Sequence, residues 1–141
     1  MKRSAVVLAI AFGAVLSVLP MQAQTKVHRV VFAMTSAEEA DWQLTLNNVR
    51  NLISGMAPEP VEIEIVAYGP GIAFLKKDGA DGAEIQRLEL SHVHFVACRN
   101  SMRKQHLEAS DLVAGSEVVP AGIVEIIRKE EQGWTYIKAG R

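Results

Sequence analysis

The sequence predicts an α/β protein, a three-layer α/β/α arrangement around a mostly parallel sheet of about five strands. Short runs rich in Val, Ile and Phe alternate along the chain with stretches whose apolar residues recur at helical spacing. The segments between successive apolar runs are too long for hairpins, so the strands they join run parallel, with helices over both sides of the sheet. Glycine-containing turns, Gly69-Pro70-Gly71 and Pro120-Ala121-Gly122, fall where two of the runs end.

Each element has its own signature. Val27 to Met34 is β-rich and ends at Thr35-Ser36, where Ser36-x-x-Glu39 has the form of a capping box. The helix that follows carries an apolar stripe of Trp42, Leu46, Val49, Ile53 and Met56, and Gly55 and Pro58 stop it. Glu38, Glu39 and Asp41 suit the positive end of its dipole. Val61, Ile63 and Ile65 alternate with Glu62 and Glu64, predicting a strand whose opposite face is open to solvent at its start. Ile72 to Leu75 is a short helix, Lys76 to Gly82 a polar loop, and Ala83 to Leu90 a helix with Ile85 and Leu88 inward. Ser91 to Ala97 is the next strand and Ser101 to Leu107 the next helix. Val118 and Val119 make a short strand, Ile123 to Glu131 an amphipathic helix whose charged end, Arg128-Lys129-Glu130-Glu131, reads as a solvated face, and Trp134 to Lys138 the last strand.

The amino terminus has the pattern of an export signal. Met1-Lys2-Arg3 is positive, Ala5 to Leu19 is uncharged and apolar, and Pro20 precedes a cleavage region ending at Ala23. The apolar stretch is short for a membrane span, which wants roughly 20 residues. The expected organisation is therefore a signal peptide over 1–23 and a single domain over 24–141, periplasmic or secreted, with no membrane span after cleavage. Cleavage removes Lys2 and Arg3 from the 15 basic residues and none of the 16 acidic ones, leaving a net charge of about −3 with His neutral. That balance argues against a nucleic-acid partner. One domain of this length can bury a core without disulfides, and the single cysteine, Cys98, excludes one within the chain.

Cys98 is the residue that calls for a chemical explanation. It closes the apolar run Val93 to Ala97 and is followed by Arg99, Asn100, Ser101, Met102, Arg103 and Lys104, so it stands where a strand meets a basic helix start. Free backbone N–H groups and the helix dipole there favour the thiolate. Arg99 and Arg103 are expected to add positive charge, with Asn100 and Ser101 shaping the turn. A nucleophilic thiol could exchange with a disulfide or accept sulfane sulfur. Equally, an unpaired cysteine in apolar company is commonly structural, and the residue types leave both readings open.

Other constellations are weaker. Tyr68, Gly69 and Gly71 form a strand-to-helix turn that could receive a small ligand or anion, with glycines letting the backbone pass close to Cys98. Gly69-x-Gly71 lacks the third glycine of a dinucleotide fingerprint, since Phe74 stands there. His92 and His94 share a face with Cys98, but four residues of strand span roughly 13 Å, too far for one ion, and His28 and His106 are isolated in sequence. No metal site and no cofactor is assigned. Trp42 belongs to the core, while Trp134 and Tyr136 suit an edge or a subunit contact.

The segment FVACRNSM resembles the cysteine region of the DsrE/DsrF-like family. Val66-Ala67-Tyr68-Gly69-Pro70-Gly71 is similar to that family's turn, Leu46-Asn47-Asn48-Val49-Arg50-Asn51-Leu52 to its first helix, and the segments from Val118 to Glu125 and Gly133 to Lys138 to the close of its exported members. The resemblance implies a compact α/β/α domain that assembles as a homo-oligomer, a trimer or hexamer, with Cys98 carrying sulfur as a persulfide between a donor and an acceptor that the chain does not identify. Export sets it apart from cytoplasmic relatives that serve sulfur oxidation or tRNA thiolation. The expected function is thus an exported sulfur carrier or sulfurtransferase-like relay. The alternative is a non-catalytic oligomeric binding or assembly module with a structural cysteine.

Overall fold

The structure, a computed structural model, describes residues 26–79 and 81–140; the segment expected to be the export signal lies outside them. Five strands, β1 (His28–Met34), β2 (Val61–Ala67), β3 (Val93–Cys98), β4 (Glu117–Val119) and β5 (Thr135–Ala139), form one sheet in the order β4-β3-β2-β1-β5. Every neighbouring pair is parallel, so the expected α/β/α class holds and the sheet is all-parallel. The helices are α1 (Glu39–Met56), α2 (Gly82–Glu89), α3 (Arg99–Lys104) and α4 (Gly122–Glu131), with 3₁₀ segments at Gly69–Leu75 and Ala109–Asp111. Among the described residues no helix is long and apolar enough to cross a membrane.

Strand order decides which helix covers which face. The chain steps outward from β1 to β4, and right-handed crossovers then keep α1, α2 and α3 on one side. It returns to the far flank of β1 to form β5, so α4 crosses the other side and packs on β1, β2, β3 and β5. The first face holds the larger core: Phe32, Met34, Ile63, Ile65 and Phe95 meet Trp42, Leu46 and Val49 of α1 and Phe74 of the 3₁₀ segment. Trp42 and Phe95 flank the Phe74 ring at 5.9 and 6.0 Å between centroids. Burying Leu46 and Val49 completely stabilises the fold by about 1.5–3 kcal/mol each. The second face is thinner: Val31, Ala33, Val66 and Val96 meet Ile126 and Trp134.

Gly71 allows the 3₁₀ segment to sit against the end of β1, because a Cβ there would lie 2.2 Å from the Met34 carbonyl oxygen. The close approach that this glycine permits is therefore to β1 and not to Cys98.

Several local expectations differ from the fold. The capping box does not form. α1 begins at Glu39 without a side-chain cap, while the Ser36 hydroxyl accepts the Glu38 N–H and donates to Asp41, which is buried. Ile53 and Met56 are only half-buried, so the fully buried part of the α1 stripe ends with Val49 and Ile53 packs at the margin of the core. α3 starts two residues earlier than its periodicity suggests and ends at Lys104.

The largest difference concerns charge. Glu64 is buried, and Lys129 is drawn out of the expected solvated face of α4 to meet it, with Nζ 2.5 Å from Oε2. The same ammonium lies 3.8 Å from Glu125 and 4.4 Å from the Trp134 ring centroid. Alternation along β2 is real and Glu62 stays partly exposed at the start of the strand, but α4 covers Glu64.

Burial pushes the Glu64 carboxyl above its ordinary range despite the hydrogen bond and charge of Lys129. The folded state therefore holds a proton that the unfolded chain has released, and stability declines as pH rises from the ordinary carboxylate value through the raised one. Glu64→Gln should remove that decline and cost no more than about 1 kcal/mol, whereas Lys129→Met should cost about 3 kcal/mol or more by stranding a buried carboxylate. Urea unfolding across pH 4–8 measures both.

Candidate functional site

β3 ends at Cys98, the residue that also caps α3, so the strand-to-helix junction consists of the cysteine itself. Strand register sets its neighbours. Ala97 pairs with Ala67 on one side, and Cys98 pairs with Val119 on the other, which brings Tyr68, next after Ala67, alongside the cysteine. Side-chain alternation turns Cys98 toward the α4 side, where Val66, Val96, Tyr68 and Val119 pack. The thiol is 5 % exposed.

Four donors converge on its sulfur. Burial alone would raise the Cys98 pKa, but the Ser101 hydroxyl and the backbone N–H groups of Gly122, Ser101 and Asn100 outweigh it and hold the thiol below its ordinary value. Three of the donors come from the first turn of α3 and one from the start of α4. Gly122 can supply its N–H because it has no side chain. A Cβ there would lie 3.0 Å from Tyr68 Cβ, 3.1 Å from Val66 Cγ1 and 3.3 Å from Cys98 Cβ. The Tyr68 phenol is pushed upward by burial and then by Tyr136 and Cys98, so it stays protonated beside the sulfur.

Ser101 has a second duty. Its oxygen accepts the Gly69 N–H at 2.7 Å, and Gln105 donates to the Gly69 carbonyl at 3.0 Å. The turn is thereby tied to α3, and its own donors are consumed: the Tyr68 N–H goes to Met34 and the Gly71 N–H to Tyr68. The N–H groups of Tyr68, Gly69 and Gly71 are thus all engaged within the protein, and the turn buttresses the cysteine.

Arg99 and Arg103 are exposed, and neither is among the leading causes of the Cys98 shift. The Arg103 guanidinium donates instead to Asn100 Oδ1 at 2.5 Å. Asn100 and Ser101 thus act directly through their N–H groups, beyond shaping a turn. Gly122 escaped selection because its contribution is a backbone proton delivered across 24 residues of chain; Pro120-Ala121-Gly122 was legible as a strand-end turn, and nothing local aimed it at sulfur. His94 lies 3.4 Å from Glu117, and no group of three or more ligating side chains is placed to hold a metal among the described residues.

Comparison with known proteins places the fold in a family. The family model for the DsrE/DsrF-like family matches residues 28–139, from the first strand to the last. The chain belongs to the DsrE/DsrF-like family. Among solved DsrE-like structures, the protein of unknown function MTH1491 from Methanobacterium thermoautotrophicum is 36% identical, with a TM-score of 0.75 over 79% of this chain and 98% of that one. The conserved protein of unknown function BT1422 from Bacteroides thetaiotaomicron shares the fold at 16% identity, with a TM-score of 0.62 over 84% of this chain and 97% of that one. No curated protein is significantly similar to this DsrE-like chain.

The donor set gives the DsrE-like site a measurable signature. Iodoacetamide should alkylate Cys98 with a midpoint pH below that of an unstructured cysteine, because thiolate is present from lower pH. Ser101→Ala should raise that midpoint and slow the reaction at neutral pH by about tenfold, the scale of a hydrogen bond to a charged group. Gly122→Ala should act in the same direction by forcing α4 off the sulfur. An unchanged pH profile in both variants would remove Ser101 and Gly122 from the site.

Proposed function

We propose that this protein is a sulfur carrier of the DsrE type, exported to the periplasm or secreted, in which Cys98 forms a persulfide. The observation that carries the reading is the set of four donors around one buried sulfur, which favours the charged thiolate over the neutral thiol. Its attack on a terminal sulfane sulfur of a polysulfide would form the Cys98 S–S bond, break the donor's S–S bond and send the electron pair off with the shortened polysulfide. An acceptor thiolate attacking the outer sulfur would reverse the process and return Cys98 as thiolate, with no net oxidation. The protonated Tyr68 phenol stands where it could donate to the leaving sulfur. Incubation with polysulfide should add the mass of one sulfur atom to the protein, removable by dithiothreitol and absent in Cys98→Ser. A Cys98 left unmodified under conditions that load a known carrier would overturn the reading.

Self-association belongs to the same proposal. Ile123, Val124 and Ile127 of α4 and Tyr136 of β5 are exposed large apolar side chains on the α4 side of the sheet, the side to which Cys98 turns. An apolar surface of this kind favours association with a second copy, and it is the observation behind the assembly-module alternative. Sedimentation should give a mass of several protomers, and Ile127→Glu should lower it toward one. A single-chain mass for the unmodified protein would exclude the assembly.

A further inference from the structure

The two arginines freed from the cysteine frame a second site. A cavity of about 490 Å³ opens between α3 and β4, with Arg99, Arg103 and His106 on its wall and Met102, Leu107 and Val118 supplying its apolar part. That volume is within the range of small-molecule sites. Val118 packs with the core on the α1 side of the sheet, opposite the face to which Cys98 turns, so the cavity is separate from the thiol site.

Its charge is not balanced from within. Arg29, Arg50 and Arg87 each pair with a glutamate, whereas Arg99 and Arg103 have no carboxylate within 4.0 Å among the described residues. Arg103 spends one donor on Asn100 and keeps four. The acid on the lining, Glu108, sits in a capping box, accepting the Asp111 N–H while the Asp111 carboxylate accepts its own, so one carboxylate stands against two guanidinium charges and the lining stays net positive. His106 adopts φ 55, the left-handed position that closes α3, where the His106 and Leu107 N–H groups bond the Arg103 and Met102 carbonyls. Glycine would make that turn without strain, but histidine brings an imidazole to the cavity and the turn folds Leu107 back onto its wall.

We propose that this cavity binds a small organic anion, an oxyanion head carried on an apolar body. The head is held by the forked N–H donors of Arg99 and Arg103 with the His106 ring, and the body lies on Met102, Leu107 and Val118. The two halves of the lining select together: an inorganic oxyanion wastes the apolar wall, and a neutral apolar molecule leaves the guanidinium charges unanswered. This inference is independent of persulfide chemistry at Cys98.

Calorimetric titration of the purified protein with naphthalene-2-sulfonate tests it, against sulfate and 2-naphthalenemethanol as the head and the body alone. The sulfonate should bind at one site per chain, and each half-ligand at least tenfold more weakly. Arg99→Gln and Arg103→Gln, both at exposed positions and checked for folding by circular dichroism, should each weaken the sulfonate at least tenfold, while Ile123→Ser on α4 leaves it unchanged. Equal affinity for the alcohol, or unchanged affinity in both arginine variants, would overturn the proposal. Loss of binding in Ile123→Ser alone would do so too, by assigning the ligand to the exposed α4 surface.

Discussion

The seating of α4 across its face of the sheet is the constraint on which the rest depends. Its amino end fits because Gly122 has no side chain to strike Tyr68, Val66 and Cys98. Its carboxyl end is held by Lys129, which reaches Glu64 from above while lying over Trp134. The two attachments differ in kind, one steric and one electrostatic. Between them only Ile126 is fully buried from the helix's apolar side chains, so packing alone gives α4 little purchase. A small rotation of α4 would cost few apolar contacts, yet it would withdraw an N–H from the sulfur.

Most of the architecture was legible because it rests on local periodicity. The alternating elements, their order and the parallel sheet follow from apolar spacing and connection length, and Trp42, Leu46 and Val49 were readable as core from one helix stripe. Burial of Glu64 was not legible, because alternation gives the face of a side chain without saying what covers that face. Lys129 failed for the complementary reason: in a run of four charges nothing marks the one that a distant strand will capture. The capping box at Ser36 was misread because the hydroxyl found partners in Glu38 and Asp41 as the helix started later.

The site was legible to the same depth. Cys98 and its position at a strand end could be read directly, and so could the strand-end turns Gly69-Pro70-Gly71 and Pro120-Ala121-Gly122. Donor assignments could not. Arg99 and Arg103 seemed natural partners for a thiolate because they are near in sequence, but a helix places residues one and five after the cysteine on its outer flank, away from the sulfur. The effective donors are short-range backbone groups and one hydroxyl, whose strength comes from burial and fixed direction. The two arginines stand as a pair without a salt-bridge partner beside an apolar wall.

The order of residues along the chain adds a temporal consequence to the placement of α4. Cys98, Asn100 and Ser101 leave the ribosome before Gly122, and α4 reaches its face of the sheet only after β1, β2 and β3 are made. A nascent chain therefore carries Cys98 without its fourth N–H donor and without the helix that shields it. The docking of α4 is what perfects the thiolate's surroundings, so a chain truncated before residue 122 would keep its cysteine while lacking the means to tune it.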